Sequence, residues 1–155
     1  MAINMKTIKF GENGEVYAVN AYPVQVSGEL TEAASQIDFG SFDGLTELHF
    51  IIDNRGAADA SNAAGSYGHV IINGTQSTFF TCSISTAKIF GGTLKKINGI
   101  WSVLLYSESG HNSNACERAN ELMNSLSPES VTSFAAKAYG ANVFGAGTKY
   151  ALEGR

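Results

Sequence analysis

The chain has 155 residues, of which 44% are hydrophobic and 15% charged, and its formal net charge at pH 7 is -4. This length suits one domain with a sizeable core, whereas the negative charge argues against nucleic-acid binding, which needs a basic surface. The charged fraction is below the roughly 25% of an average domain. We therefore expect a surface of small polar residues, which suits a chain packed against neighbours.

The cysteines and the apolar runs exclude several further classes of protein. Cys82 and Cys116 are too few for a disulfide framework, and without a C-x-x-C motif or a histidine pair at ligand spacing we expect no metal and no cofactor. The amino terminus lacks a charged segment followed by an apolar run, so we expect no signal peptide. No window approaches 18 apolar residues, which argues against membrane insertion.

The first thirty residues predict a β-hairpin and then a boundary. Residues 6–10 alternate, Asn13-Gly14 supplies a turn, residues 16–19 return, and Pro23 ends the second strand. Residues 29–34 are compatible with a helical turn or a loop. We place the boundary near residue 30, with an amino-terminal segment for attachment or oligomerisation over 1–30 and the main domain over 31–155.

The main domain begins with a series of strands. Residues 45–53 predict a half-buried strand, followed by a long polar loop over 54–66 of the kind that is usually functional or mobile. Residues 67–72 and 78–84 predict strands joined by a hairpin turn over 73–76. A weaker strand over 88–94, interrupted by Gly91-Gly92, turns at Asn98-Gly99 into a stretch in which six of nine residues are large and apolar or aromatic.

That stretch, residues 99–107, predicts a strand with two apolar faces. One face carries Trp101, Val103 and Leu105, and the other carries Ile100, Leu104 and Tyr106. A half-exposed strand needs only one apolar face. The strand is therefore either deep inside one domain or covered by another copy of the chain.

The last third of the chain mixes helical and extended signals. Residues 114–126 have helical spacing, with Ser113 or Asn114 as a possible cap. Residues 131–139 are compatible with either a helix or a strand, and residues 148–155 predict a terminal strand. The whole pattern predicts a mainly β protein, an antiparallel β-sandwich or jelly roll with an amino-terminal hairpin and one short helix.

Four segments together resemble the small jelly-roll domains of tailed-phage fibre, receptor-binding and head-fibre virion proteins. They are residues 45–52, 70–74 with their Asn-Gly turn, 100–106, and the closing Phe-Gly-Ala-Gly-Thr-Lys-Tyr-Ala-Leu-Glu-Gly-Arg of 144–155. The resemblance covers roughly residues 37–155. It implies a jelly roll with 131–139 as the penultimate strand, a homotrimer, contact with other virion proteins, location on the virion, and attachment to a bacterial surface, often through a glycan.

No catalytic motif is present, so we do not expect an enzyme. The chain has no G-x-S-x-G, no phosphate-binding glycine loop and no H-E-x-x-H. His49, His69 and His111 are scattered, which favours structural or surface roles. A small hydrolase is the least favoured of three hypotheses.

Sugar recognition is the rival hypothesis, in the form of a monomeric carbohydrate-binding module. Sugars are held by an aromatic ring and by planar polar side chains, and candidates of both kinds are Trp101, Tyr106, His111, Asn112 and Asn114. Core packing is the competing interpretation of Trp101. The favoured hypothesis is a trimeric virion protein in which Ile100, Leu104 and Tyr106 close the oligomer interface.

Overall fold

The computed structural model describes residues 6–10, 16–55, 67–76, 80–81, 89–107, 110–111, 113–138 and 143–155. These residues form thirteen strands and one helix, which are, in chain order, β1 Lys6–Phe10, β2 Val16–Asn20, β3 Val24–Glu29, β4 Gln36–Leu45, β5 Glu47–Asp53, β6 Tyr67–Ile72, β7 Thr75–Gln76, β8 Phe80–Thr81, β9 Ile89–Ile97, β10 Ile100–Ser107, β11 Gly110–His111, α1 Ser113–Leu126, β12 Val131–Ala138 and β13 Lys149–Gly154.

Eleven of these strands form two antiparallel sheets packed face to face, which confirms the predicted β-sandwich. The larger sheet has the order β11-β10-β9-β5-β13-β3, and the smaller has the order β4-β12-β6-β7, with β8 also paired to β6. The predicted amino-terminal hairpin is also confirmed, because β1 pairs with β2 in a sheet of its own. Its predicted turn, Asn13-Gly14, lies outside the described residues.

Aromatic side chains from both sheets meet in the core. The ring centroids of Phe50 in β5 and Phe134 in β12 lie 4.8 Å apart, and Phe39 in β4 lies 5.5 Å from Phe134. On the larger sheet, Phe50 also meets Phe90 at 5.4 Å. Each of these rings is at most 5% exposed. Because aromatic rings bury large apolar areas, this cluster holds the two sheets together.

Two predicted hairpin turns follow the local rules closely. Asn73 and Gly74 have φ values of 51° and 78°, and Asn98 and Gly99 have φ values of 49° and 83°. Two successive positive values define the type I′ turn that matches the twist of a two-residue hairpin. Each turn therefore sets the register of its strands, with Ile72 opposite Thr75 and Ile97 opposite Ile100.

The glycines at 91 and 92 lie inside β9 instead of interrupting it, so the predicted weak strand runs three residues further, to Ile97. A Cβ at Gly91 would lie 2.6 Å from the phenolic oxygen of Tyr106 and 2.6 Å from the carbonyl oxygen of Phe50. The strand needs glycine here because neighbouring atoms occupy the side-chain space.

The last third of the chain contains the helix and, after it, a strand where the sequence was compatible with either. α1 spans Ser113–Leu126, in agreement with the predicted helix. It ends where Ser127 adopts a φ of 41° and its N–H donates to the carbonyl of Met123 at 2.8 Å, after which Pro128 prevents continuation. Residues 131–138 then form a strand, β12, paired on both sides.

Other predictions fall partly outside the described residues. Of the predicted loop 54–66, residues 56–66 are not described, and of the predicted strand 78–84, only β8 is. Cys82 and Tyr139 also lie outside the described residues. Within the predicted amino-terminal segment 1–30, β3 is a strand of the larger sheet and pairs with β13 along six residues.

Candidate functional site

The outer face of the larger sheet carries a polar cluster built around one buried carboxylate. Glu47 in β5 has a side chain only 8% exposed, although it lies on the face opposite the core. We define the polar cluster as Glu47 and the four side chains that contact it: Tyr22, His49, Lys95 and Arg155. Antiparallel pairing brings three of them together, because Glu47 lies opposite Lys95 and beside the backbone of Arg155.

The contacts of the two carboxylate oxygens are divided between different partners. Oε2 accepts from Nε and Nη2 of Arg155 at 2.8 and 2.7 Å. Oε1 accepts from the hydroxyl of Tyr22 at 3.2 Å and lies 3.2 Å from Nε2 of His49 and 3.4 Å from Nζ of Lys95. A buried charge needs such pairing, and here each carboxylate oxygen has at least two polar partners.

The cluster shifts the pKa values of its members. Burial acts to raise the pKa of Glu47, but the hydrogen bonds from Arg155 and His49 outweigh burial and hold this pKa at about 2. Burial, followed by the charge of Glu47, raises the pKa of Tyr22. The hydrogen bond to Glu47 raises the pKa of Arg155. Glu47 therefore stays ionised at neutral pH, which suits a stabilising role better than proton transfer.

A shallow trough of about 410 Å³ lies beside the polar cluster on the same face. Register places Ser27, Ala151, Ile51 and Gly91 side by side on four adjacent strands, and the ring of Tyr106 in β10 reaches over Gly91. The floor is therefore mainly apolar, with Ser27 at one end, and polar side chains from the next row of the sheet, Gln25, His49 and Glu153, line one rim. This combination is suited to a ligand with one apolar face and several polar groups.

An apolar strip on this face, which we define as Ile97, Ile100 and Leu104, begins at the Asn98-Gly99 turn, where Ile97 and Ile100 lie, and continues past Ser102 to Leu104 in the middle of β10. Three side chains of the strip, Ile100, Ile97 and Leu104, are 68%, 52% and 47% exposed. Ile97 and Ile100 are directly opposite each other across the hairpin. Strand faces that meet water in a monomer are normally polar, so the apolar strip is the feature of this surface that most needs a partner.

The structure separates the predicted sugar-binding residues. Trp101 is 4% exposed, and its indole N–H donates to the carbonyl of Pro128 at 2.8 Å, so its ring packs in the core and offers no open face to a sugar. Tyr106 is 38% exposed and borders the trough. His111 and Asn114 belong to β11 and α1, and only their backbone is described. Asn112 lies outside the described residues.

The predicted interface residues share one surface. Ile100, Leu104 and Tyr106 all project from the outer face of β10, while Trp101, Val103 and Leu105 are buried beneath it.

No sequence pattern predicted the polar cluster. Alternation does place Glu47 and His49 on one strand face, but no local pattern indicates that Arg155 and Tyr22 join them.

Neither a metal-binding cluster nor a membrane-spanning helix is found among the described residues. Within them, no group of three or more His, Cys, Asp or Glu side chains is arranged to hold a metal ion. No helix in the described part of the chain combines the length and apolar character needed to cross a bilayer. Comparison with known proteins finds no matching family model, no matching curated protein and no matching solved structure.

Proposed function

We propose that this chain is a structural protein of a phage or prophage virion, a β-sandwich that self-associates into a trimer and presents its loops for attachment to a host surface. The single observation that carries the self-association is the apolar strip of Ile97, Ile100 and Leu104. Ile100 alone is 68% exposed in a strand that also buries its opposite face. Covering such a surface with a second copy removes apolar area from water.

Two further features support this proposal. The charged fraction of 15% leaves few charges to be desolvated when chains pack together. The resemblance of residues 37–155 to virion jelly-roll domains supports the threefold state and the attachment role. In such an assembly, weak individual contacts to a host surface gain avidity from multivalency.

A monomeric carbohydrate-binding module is the second candidate, and the trough is the observation that favours it. The trough combines an apolar floor with the ring of Tyr106 and a polar rim, as sugar sites commonly do. The two candidates differ in the oligomeric state of the chain in solution, because a carbohydrate-binding module needs no second copy of the chain.

Light scattering after size-exclusion chromatography tests the proposal. We expect the native chain to have a mass near three chains, and Leu104→Lys to have the mass of one chain with an unchanged circular dichroism spectrum. The matched control is Ser41→Lys, which adds the same charge at an exposed position of β4 on the smaller sheet. It should leave the mass unchanged.

Each alternative outcome contradicts the proposal in a different way. A native monomer would favour the carbohydrate-binding candidate, particularly if that monomer binds on a glycan array. If Leu104→Lys unfolds the chain at every concentration, the surface around Leu104 is part of the core and does not serve as an interface. Equal loss of association in the Ser41 control would show a general effect of charge.

A further inference from the structure

The outward edge of β10 is covered by the helix and not by a full neighbouring strand. On one side β10 pairs with β9 along its whole length, whereas on the other side, among the described residues, β11 pairs only with Tyr106 and Ser107. An uncovered strand edge presents unpaired N–H and C=O groups, which can template the addition of a strand from another chain. The part of β10 around Val103 therefore needs another form of cover.

The alternation of hydrogen bonds along β10 identifies the backbone groups that face this edge. Ile97 and Ile100 flank a two-residue turn, so they form a hydrogen-bonded pair, and bonded positions then alternate along the antiparallel ladder. By this alternation the N–H and C=O of Val103 point away from β9. Val103 is 4% exposed, so these groups lack ready access to water.

One side chain of α1 satisfies both groups. The Oδ1 atom of Asn120 accepts from the N–H of Val103 at 2.9 Å, and its Nδ2 atom donates to the carbonyl of Val103 at 3.2 Å. A side-chain amide has the same donor and acceptor as a peptide group. Asn120 therefore occupies the place that one residue of a neighbouring strand would take.

The helix is held in this position by the core. Met123 is fully buried and lies three residues after Asn120, on the same face of α1, and Leu122 packs against the core beside it. β4, an edge strand of the smaller sheet, has its own protection. In β4, Gly40 and Gly44 have φ values of 101° and 108°, and Asp38 accepts from the N–H of Gly40 at 2.9 Å. Such irregularities disrupt strand pairing.

We propose that Asn120 is an edge guard, a residue that seals β10 against addition of a strand from a second copy of this chain. The guard prevents extension of the larger sheet at its β10 edge. This inference does not depend on the trimer, because it concerns a different surface of the sandwich.

Two variants with the same substitution test the guard. Asn120→Ala removes the amide from the edge, and Asn124→Ala removes an amide from an exposed position one turn further along α1. We expect Asn120→Ala to form species larger than the native assembly as concentration rises, with the infrared signature of intermolecular antiparallel strands. In dilute solution, the amide hydrogen of Val103 should exchange at least about tenfold faster. Asn124→Ala should match the native chain in both measurements.

Two outcomes would overturn the inference. If Asn120→Ala keeps the mass of the native assembly and the native exchange rate of the Val103 amide hydrogen, other groups seal the edge. Faster exchange without larger species would show that Asn120 satisfies Val103 without preventing association. If Asn120→Ala fails to fold, Asn120→Leu replaces it, since leucine keeps a branched side chain of similar shape, adds no charge, and removes both the acceptor for the N–H of Val103 and the donor to its carbonyl. It too must form larger species for the inference to stand.

Discussion

Replacing Glu47 with glutamine tests whether the polar cluster stabilises the sandwich. The substitution keeps the shape of the side chain and removes its charge, so the two bonds from Arg155 at 2.7 and 2.8 Å lose their charge-assisted character. Tyr22, His49 and Lys95 lose the same anion. Because the carboxylate is 8% exposed, water does not replace these contacts in the folded chain.

The lowered pKa of Glu47 sets the size and the pH range of this effect. Its pKa is about 2 in the folded chain, against an ordinary value of 4.5, a difference that corresponds to about 3 kcal/mol. Arg155 and Lys95 are 49% and 43% exposed, and solvent screening of these cations reduces the expected value to about 1–3 kcal/mol. Since the folded pKa is depressed, the stabilisation is complete above about pH 4.5 and is lost as the pH falls toward 2.

Urea denaturation of the native chain and Glu47→Gln at several pH values measures this contribution. At pH 7 we expect the variant to be less stable by about 1–3 kcal/mol, with a melting temperature lower by about 2–4 °C for each kcal/mol. The difference should shrink between pH 4.5 and 2. Glu29→Gln, at an exposed position of β3, is the matched control. Equal stability at pH 7, or a difference that persists unchanged at pH 2, would refute the reasoning.

Two other substitutions probe the turns and the strand packing. Asn73→Gly keeps the positive φ of the turn but removes a side chain that donates to the carbonyl of Ser130 at 3.0 Å and accepts from the N–H of Thr132 at 2.7 Å. Calorimetry should show a loss of about 1–2 kcal/mol in stability, and an unchanged melting temperature would contradict this expectation. Gly91→Ala places a Cβ 2.6 Å from the phenolic oxygen of Tyr106 and from a backbone carbonyl oxygen. It should cost about 1–3 kcal/mol by overpacking, and a variant as stable as the native chain would show that β9 yields without cost.

Local rules predicted the elements whose form depends on near neighbours in sequence. The alternation in β5 predicted its buried face, Leu48, Phe50 and Ile52, each at most 2% exposed. The two Asn-Gly turns and α1 were also predicted, because turn chemistry and helical spacing are properties of a few adjacent residues. The same alternation placed Ile100 and Leu104 together on the outer face of β10.

What local rules missed depends on residues far apart in the chain. Residues 131–138 carry both helix and strand signals, and pairing with β4 and β6 on either side decides for the strand. Glu47 and Arg155 are 108 positions apart, and they meet only because β5 and β13 are neighbours. From sequence alone, Gly91 predicts an interruption of the strand. In the structure, Tyr106 occupies the space that a side chain at position 91 would need.

The mass of the native chain in solution tests the central claim most directly. Light scattering over a range of concentrations should give a mass near three times that of one 16.4 kDa chain, with reduction to one chain in Leu104→Lys. A native chain that remains a monomer at every concentration would contradict the claim that the apolar strip on the outer face of the larger sheet is an interface.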